Sequence, residues 1–273
     1  MSSDAASLKE LWPTQSVELL KELHILTREG TLNQDSRRKL KQVQHLIQLI
    51  TPHLEGLKSI ADLGAGKSYL GFMLYDLWMK EHKDTHLFAI EHSEKLVARC
   101  KEIAKACDFG RSTFVAESIA SAIESQKLPE EIDAVTALHA CDTATDEAIA
   151  FALKKNAKFI ALVPCCQAEV ARLLGEIKTK NEISQLWRHN LHRREFGSHL
   201  TNVLRCLFLE SQGYKVRVTE LIGWEHSMKN ELILAEKFQK SNGLAKKQLE
   251  KLLSEFPLKM KLWELVSPHT GPL

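Results

Sequence analysis

The strongest constraint on this chain's fold is an alternation that begins near Lys58, in which short apolar runs are separated by helical stretches. The runs are SIADLG (59–64), HLFAIE (86–91), TFVAE (113–117), IDAVTALH (132–139), AKFIALVP (157–164), YKVRVTEL (214–221) and NELILAEKF (230–238). Helical patterning fills 68–82, 94–107, 143–155 and about 199–212. Strand and helix in strict alternation predict an α/β chain with a parallel sheet covered on both faces. Only IGWEHSMK separates the last two runs. That is too short for a helical crossover, so these two are expected to pair antiparallel, as a hairpin at the end of the sheet.

Two helical segments flank this region. Residues 1–57 form an N-terminal helical extension. Within it Leu40, Val43, Ile47, Ile50 and Leu54 recur at helical spacing, Ser36 is the expected N-cap, and Pro52 weakens continuation beyond Ile50. An earlier helix carries Val17, Leu20 and Leu23, and TREGTLNQDS between the two is a loop by its turn residues. Residues 58–240 form the central domain and 241–273 a C-terminal helical segment, in which Leu249, Leu252, Leu253 and Phe256 share one face. The net charge of +2 gives no global case for nucleic acid, so any such case rests on local patches. The six cysteines, at 100, 107, 141, 165, 166 and 206, include no C-x2-C pair and no zinc-finger spacing, so no metal site is expected. Reduced thiols, no signal-peptide pattern and no apolar run near the roughly 18 residues that span a bilayer make a cytoplasmic protein without a membrane partner the expectation.

The first run ends in Asp62-Leu63-Gly64-Ala65-Gly66-Lys67-Ser68-Tyr69, between a strand and a helix. Glycines there let backbone approach a ligand closely. Three ligands compete for the loop. A P-loop matches at Gly66, Lys67 and Ser68 but has Ala61 at its first glycine, and Asp62 would repel a triphosphate. A dinucleotide fingerprint matches at Gly64 and Gly66 but has Tyr69 at its third glycine. S-adenosylmethionine needs no anion cradle, and its sulfonium and ammonium tolerate Asp62. In a doubly wound sheet the strand ends then supply the rest. Glu91 and His92 follow the second strand at the ribose, Glu117 and Ser118 follow the third near the adenine, and His139 to Asp142 follow the fourth at the methionine end. The bland alternative is a tight turn with a solvated Glu91.

Over about residues 58–240 the sequence resembles a class I S-adenosylmethionine-dependent methyltransferase, with DLGAGKS matching its D-x-G-x-G-x-G loop except for Ser68 at the third glycine. The resemblance implies a doubly wound, Rossmann-like sheet of seven strands, six parallel and one antiparallel, and S-adenosylmethionine as cofactor. More narrowly, LHACDTATDEAI (138–149) together with VPCCQAE (163–169) resembles a subgroup of methyltransferase-domain proteins. That subgroup includes the tRNA enzyme that methylates a ribose 2′-hydroxyl in the acceptor stem, whose zinc-finger cysteines have no counterpart here. RNA, and tRNA within it, is the substrate this implies.

For the chemistry, a hydroxyl acceptor must lose its proton. His139 and Asp142 are the candidate bases, with Asp142 equally suited to capping the helix that starts near Thr143. Cys165, in Pro164-Cys165-Cys166, is the runner-up as a nucleophile toward a pyrimidine, against a plain buried thiol. For the substrate, WRHNLHRREF (187–196) offers Arg188, Arg193 and Arg194 to phosphates and Trp187 to a stacked base, and His226 and Lys229 lie in the hairpin loop. A solvated helix face is the bland alternative. A protein or small-molecule acceptor, or a binding module without catalysis, are the competing functions.

Overall fold

The computed structural model describes residues 10–138, 140, 142–164, 167–177, 182–221, 231–256 and 258–270. Its strands are β1 Ser59–Leu63, β2 His86–Glu91, β3 Ser112–Ala116, β4 Ala134–Leu138, β5 Phe159–Val163, β6 Tyr214–Glu220 and β7 Glu231–Lys237. They form one sheet in the order β3-β2-β1-β4-β5-β7-β6. The pairs β1–β2, β2–β3, β1–β4 and β4–β5 are parallel, whereas β7 runs antiparallel to both β5 and β6. The final pair is therefore a hairpin, as its short connection requires, and its second strand is inserted between β5 and the edge strand β6.

Alternate residues of each strand enter opposite cores, as the two-residue period demands. Ile60, Leu87, Ala89, Ala134 and Phe159 face one side. There they meet α1 (Val17–Glu22), α2 (Gln34–Ile50), α3 (Tyr69–Leu74) with the single π-turn Tyr75–Met79 that continues it, and α4 (Glu94–Ala106). Ala61, Ile90, Val135, Ile160 and Leu162 face the other side. There the cover is α5 (Ile119–Ala122), α6 (Thr143–Lys154), α7 (Glu169–Glu176), α8 (Asn190–Ser211), α9 (Gly243–Glu255) and α10 (Lys261–Thr270). Burial on both faces is why the strands read as near-continuous apolar runs.

The N-terminal helices share the first of these cores with the sheet, through Leu19, Leu20, Leu40, Ile47 and Ile50. Buried Asp76, in the π-turn, accepts the backbone N–H of Ser16 at 2.7 Å and pairs with Lys80, anchoring the start of α1. Two helix starts differ from expectation. Asn33, in extended conformation, caps α2 by accepting the Ser36 N–H at 2.8 Å, so Ser36 lies inside the helix and is buried. α8 begins at Asn190, ahead of the patterning at about 199–212, so Arg193 and Arg194 belong to its first turns.

α8 crosses α7 where Gly197 meets Ala171. A Cβ at Gly197 would stand 2.7 Å from the Ala171 backbone N and Cα atoms. Glycine here permits close helix packing. Gly197→Ala is expected to destabilise the fold by about 1–3 kcal/mol through overpacking, seen as a lowered midpoint in urea denaturation; an unchanged midpoint would show that the helices separate freely.

Candidate functional site at the carboxyl rim of the sheet

Strand order reverses between β1 and β4, and ligands of open α/β sheets bind outside the carboxyl ends of the strands at such a point. The loop leaving β1 lies there. Gly64, Gly66 and Ser68 all have left-handed backbone, with φ of 62°, 57° and 54°. Ser68 thus adopts the conformation of the glycine it replaces. It is fully buried, and its hydroxyl makes no hydrogen bond among the described residues. Space for that hydroxyl comes from Gly71, where a Cβ would lie 2.5 Å from Ser68 Oγ.

The loop is fastened to the exit of β2. Ala65 N–H donates to the Ile90 carbonyl at 3.0 Å, and Gly66 N–H donates to Glu91 Oε2 at 2.9 Å. Glu91 Oε1 accepts from Ser93 N–H at 2.9 Å and lies 2.9 Å from His92 Nδ1. Beneath the loop, the Cys100 thiol, pushed up to about 11 chiefly by burial, reaches the Gly66 carbonyl at 3.8 Å. At the exit of β3, Glu117 N–H donates to the Glu91 carbonyl at 3.2 Å. Glu117 Oε1 pairs with Lys127 at 2.8 Å, which holds the carboxyl below its usual range. Ser118 caps α5 through Ser121 N–H at 3.1 Å.

Asp62 plays a different part from the one its motif suggests. It is 2 % exposed and faces Thr136, its register partner on β4, whose hydroxyl donates to Asp62 Oδ1 at 3.1 Å. The Gly71 backbone N–H also bonds it. Asp62 therefore ties the start of α3 to β4 from below the loop. Burial raises its carboxyl to about 7, against the lowering by these two hydrogen bonds.

The residues present fit S-adenosylmethionine. Among the described residues the buried Oε2 of Glu117 has no hydrogen-bond partner, so it would offer an acceptor to an adenine amino group. Glu91 would hold ribose hydroxyls through its carboxylate, and a Cβ at Gly66 would meet nothing within 4 Å, so the backbone there is open to a ligand.

At the exit of β4, Asp142 occupies the N-cap position of α6 yet makes no cap bond to it. Its Oδ1 instead accepts the N–H groups of Ala168, at 2.9 Å, and Glu169, at 3.1 Å. Asp142 is a helix cap, as one reading expected, but of α7: its backbone, at φ 51° and ψ −120°, is outside the extended range usual for a residue capping its own helix. Four residues on, Asp146 forms a fully buried bidentate pair with Arg205 of α8, at 2.8 and 2.9 Å. Arg205 also donates to the Asp142 carbonyl at 2.8 Å and to Asn202 Oδ1 at 3.3 Å. Gln167 continues the network to Asn202 and to Ser198. Residues of the paired signatures thus knit the β4 and β5 exits together. Asn202 and Arg205, 33 and 36 residues beyond the end of the second signature, were not legible as partners in advance.

Beside Pro164 at the end of β5 lies a cleft of about 420 Å³, walled by Gln167, Asn202, Glu195, His199, Glu220 and Glu231. A second cleft, of about 440 Å³, is lined by Arg188, Arg193, Ser184, Gln185 and Gly175. Trp187 borders it but offers no free face to a base. It is 8 % exposed, with Phe196 stacked on it and Phe256 against its edge, so it serves the core; this corrects the base-stacking expectation. Arg188 and Arg194 are exposed, Arg194 paired with Glu195 at 2.8 Å, and Arg193 donates to Asn190 at 2.9 Å. His139, Cys165, His226 and Lys229 lie outside the described residues.

Residues 38–173 match the family model of a methyltransferase domain. Among solved structures, the chain resembles an S-adenosylhomocysteine-bound methyltransferase of Podospora anserina at 13 % identity, covering 86 % of this chain and 93 % of that one, with a TM-score of 0.51. It also resembles a protein assigned as an O-methyltransferase in Klebsiella pneumoniae at 17 % identity, covering 86 % and 96 %, with a TM-score of 0.51. At these identities the structures speak for the fold alone. No curated protein matches the chain in sequence. The sheet, the loop and the matched domain define a class I methyltransferase. The chain is an enzyme that uses S-adenosylmethionine, whose sulfonium, when bound, supplies a methyl group to a nucleophile.

Two predictions follow from the loop. Ser68→Gly is expected to stabilise the fold by about 1 kcal/mol, by removing left-handed strain and an unpaired hydroxyl. Gly71→Ala is expected to destabilise it less in the Ser68→Gly background than alone, and additive effects in a double-mutant cycle would contradict the contact. For Asp62, the folded carboxyl titrates above its ordinary 3.8. The folded state therefore binds the proton more tightly, and stability falls as pH rises from 3.8 to about 7. Asp62→Asn removes this fall, so its stability relative to wild type should climb across that window and level off above it. Thermal melts of both proteins across the range check this, and a constant difference would refute it.

Proposed function

We propose that the methyl acceptor is RNA, with tRNA as the first candidate, and that the enzyme works in the cytoplasm. The observation that carries this reading is the arrangement of α8. Its first turns, with the preceding residue Arg188, place arginines along one cleft, while Ser198, His199 and Asn202 of the same helix line the cleft beside Pro164. One rigid element thus joins a surface suited to phosphates to the β5 exit, two strand positions from the cofactor loop. Phosphate contacts of this kind set register and orientation and do not read sequence. The resemblance of the paired signatures to the acceptor-stem subgroup supports the ribose 2′-hydroxyl as acceptor, with His139 and Asp142 as candidate bases and His226 and Lys229 as further contacts. Asp142→Asn separates the two tasks of that residue: an amide oxygen still accepts the two α7 N–H groups but takes no proton.

One observation favours a second reading. Glu195, Glu220 and Glu231 all face the cleft beside Pro164, and their carboxylates suit a basic protein side chain or a small amine.

The deciding experiment is transfer of labelled methyl from S-adenosylmethionine to unfractionated RNA, tRNA, a lysine-rich peptide and a mixture of small amines. Label in tRNA, with binding that weakens steeply as salt rises, is expected; label only in the peptide or the amines would reject the RNA reading. Glu91→Ala should weaken S-adenosylhomocysteine binding by about 1–3 kcal/mol in isothermal titration, the cost of losing a charged hydrogen-bonding group. Unchanged affinity would remove Glu91 from the site.

A further inference from the structure

We infer that Arg205 is a positioning residue that sets the acceptor cleft beside Pro164 in register with the cofactor end of the sheet. The inference rests on the methyltransferase reading and on entry of the acceptor into that cleft.

Arg205 is 1 % exposed and lies on α8, remote in sequence from both signatures. Its guanidinium nevertheless contacts three separate parts of the rim. Two nitrogens hold the Asp146 carboxylate on α6. One of these also donates to the Asp142 carbonyl, at the exit of β4. The remaining nitrogen donates to Asn202 Oδ1. Asn202 is itself a wall of the cleft and donates to Glu231 Oε2 at 2.9 Å on β7. Gln167, the other buried amide of that wall, donates to the Pro164 carbonyl at 3.3 Å and accepts from Ser198 at 2.6 Å. The Asp142 residue that Arg205 holds by its carbonyl holds the start of α7 by its carboxylate. A single planar fork thus holds the β4 exit and a wall of the cleft directly, and reaches the β5 exit through Asp142 and Asn202.

Stability alone is a weak reason for such a group. A buried ion pair contributes little net stability once desolvation is counted, and apolar replacement of both partners is often neutral. Alignment is what in-line methyl transfer needs most, and misplacement by about 1 Å can cost about 100-fold in rate. The β5 exit lies two strand positions from β1, about 10 Å at ordinary strand spacing. A loop shift of about 1 Å, only about a tenth of that separation, is therefore enough to spoil the alignment.

The test compares wild type with Arg205→Met/Asp146→Leu, which keeps the site filled and uncharged, and with Arg205→Lys, which keeps the charge and loses the fork. Thermal melts establish folding. Hydrogen exchange at the amides of Ala168 and Glu169, and titration with S-adenosylhomocysteine, are read without any acceptor. Both folded variants are expected to exchange faster at these two amides while keeping wild-type affinity for S-adenosylhomocysteine. On whichever RNA the wild type methylates, kcat should fall by about 100-fold. A folded double variant with wild-type exchange and turnover would overturn the inference, leaving the pair a stabilising contact. So would full rescue by Arg205→Lys, or loss of S-adenosylhomocysteine affinity in step with turnover. If the wild type methylates no RNA, the RNA reading fails on its own, and exchange with titration still decides the role of Arg205.

Discussion

The hydrogen bond from the Gly66 amide to Glu91 is the contact on which the cofactor half of the rim depends. It joins the β1 loop to the neighbouring strand end, and the Glu91 carbonyl passes the connection on to Glu117. Three successive strand ends are thereby linked through one carboxylate residue. The loop can be tied this way only because Gly64, Gly66 and Ser68 accept left-handed backbone. Two are glycines, for which that conformation is free of Cβ strain. The third is not, and its side chain is accommodated by the missing Cβ of Gly71. Room for the side chain at one position of a motif is made three residues later, while its backbone strain remains.

The half of the rim at the β4 and β5 exits is organised by different physics. Among the described residues it is shaped by a set of buried polar groups, each satisfied by a neighbour from another element. Asp146, Arg205, Asn202 and Gln167 are all buried, and all are hydrogen-bonded. Such networks specify geometry strongly, since any displaced member leaves a polar group unpaired in a low-dielectric interior. The two halves meet at β1 and β4, where Asp62 and Thr136 stand side by side in the sheet. That contact is itself a buried polar pair, so the central seam shares the character of the β4 and β5 exits.

The fold was legible because its signal is periodic. All seven strands fall within one or two residues of the apolar runs, and the short link before Glu231 required the antiparallel hairpin. The glycine loop was legible because local backbone chemistry is written in adjacent residues. Helix starts were less so: Asn33 and Ser36 are both good caps, and only the chain's entry angle chooses between them. Roles that depend on distant partners were not legible. Trp187 looked like a stacking platform because it sits among arginines, but Phe256, far along the chain, covers it. Asp142 looked like a cap for the helix beside it, and tertiary structure gave it the helix after the next strand.

The inserted position of β7 has a consequence for how the chain reaches its native state. β6 is made first but touches the sheet only through β7, since it has no hydrogen-bonded pairing with β5. During synthesis the five-strand parallel half can assemble while β6 waits unpaired, and the edge of β5 stays open until residues 231–237 emerge and slot between them. Late closure of this kind rewards loop-closure entropy only at the end, and it leaves an apolar strand edge exposed to wrong partners in the interval.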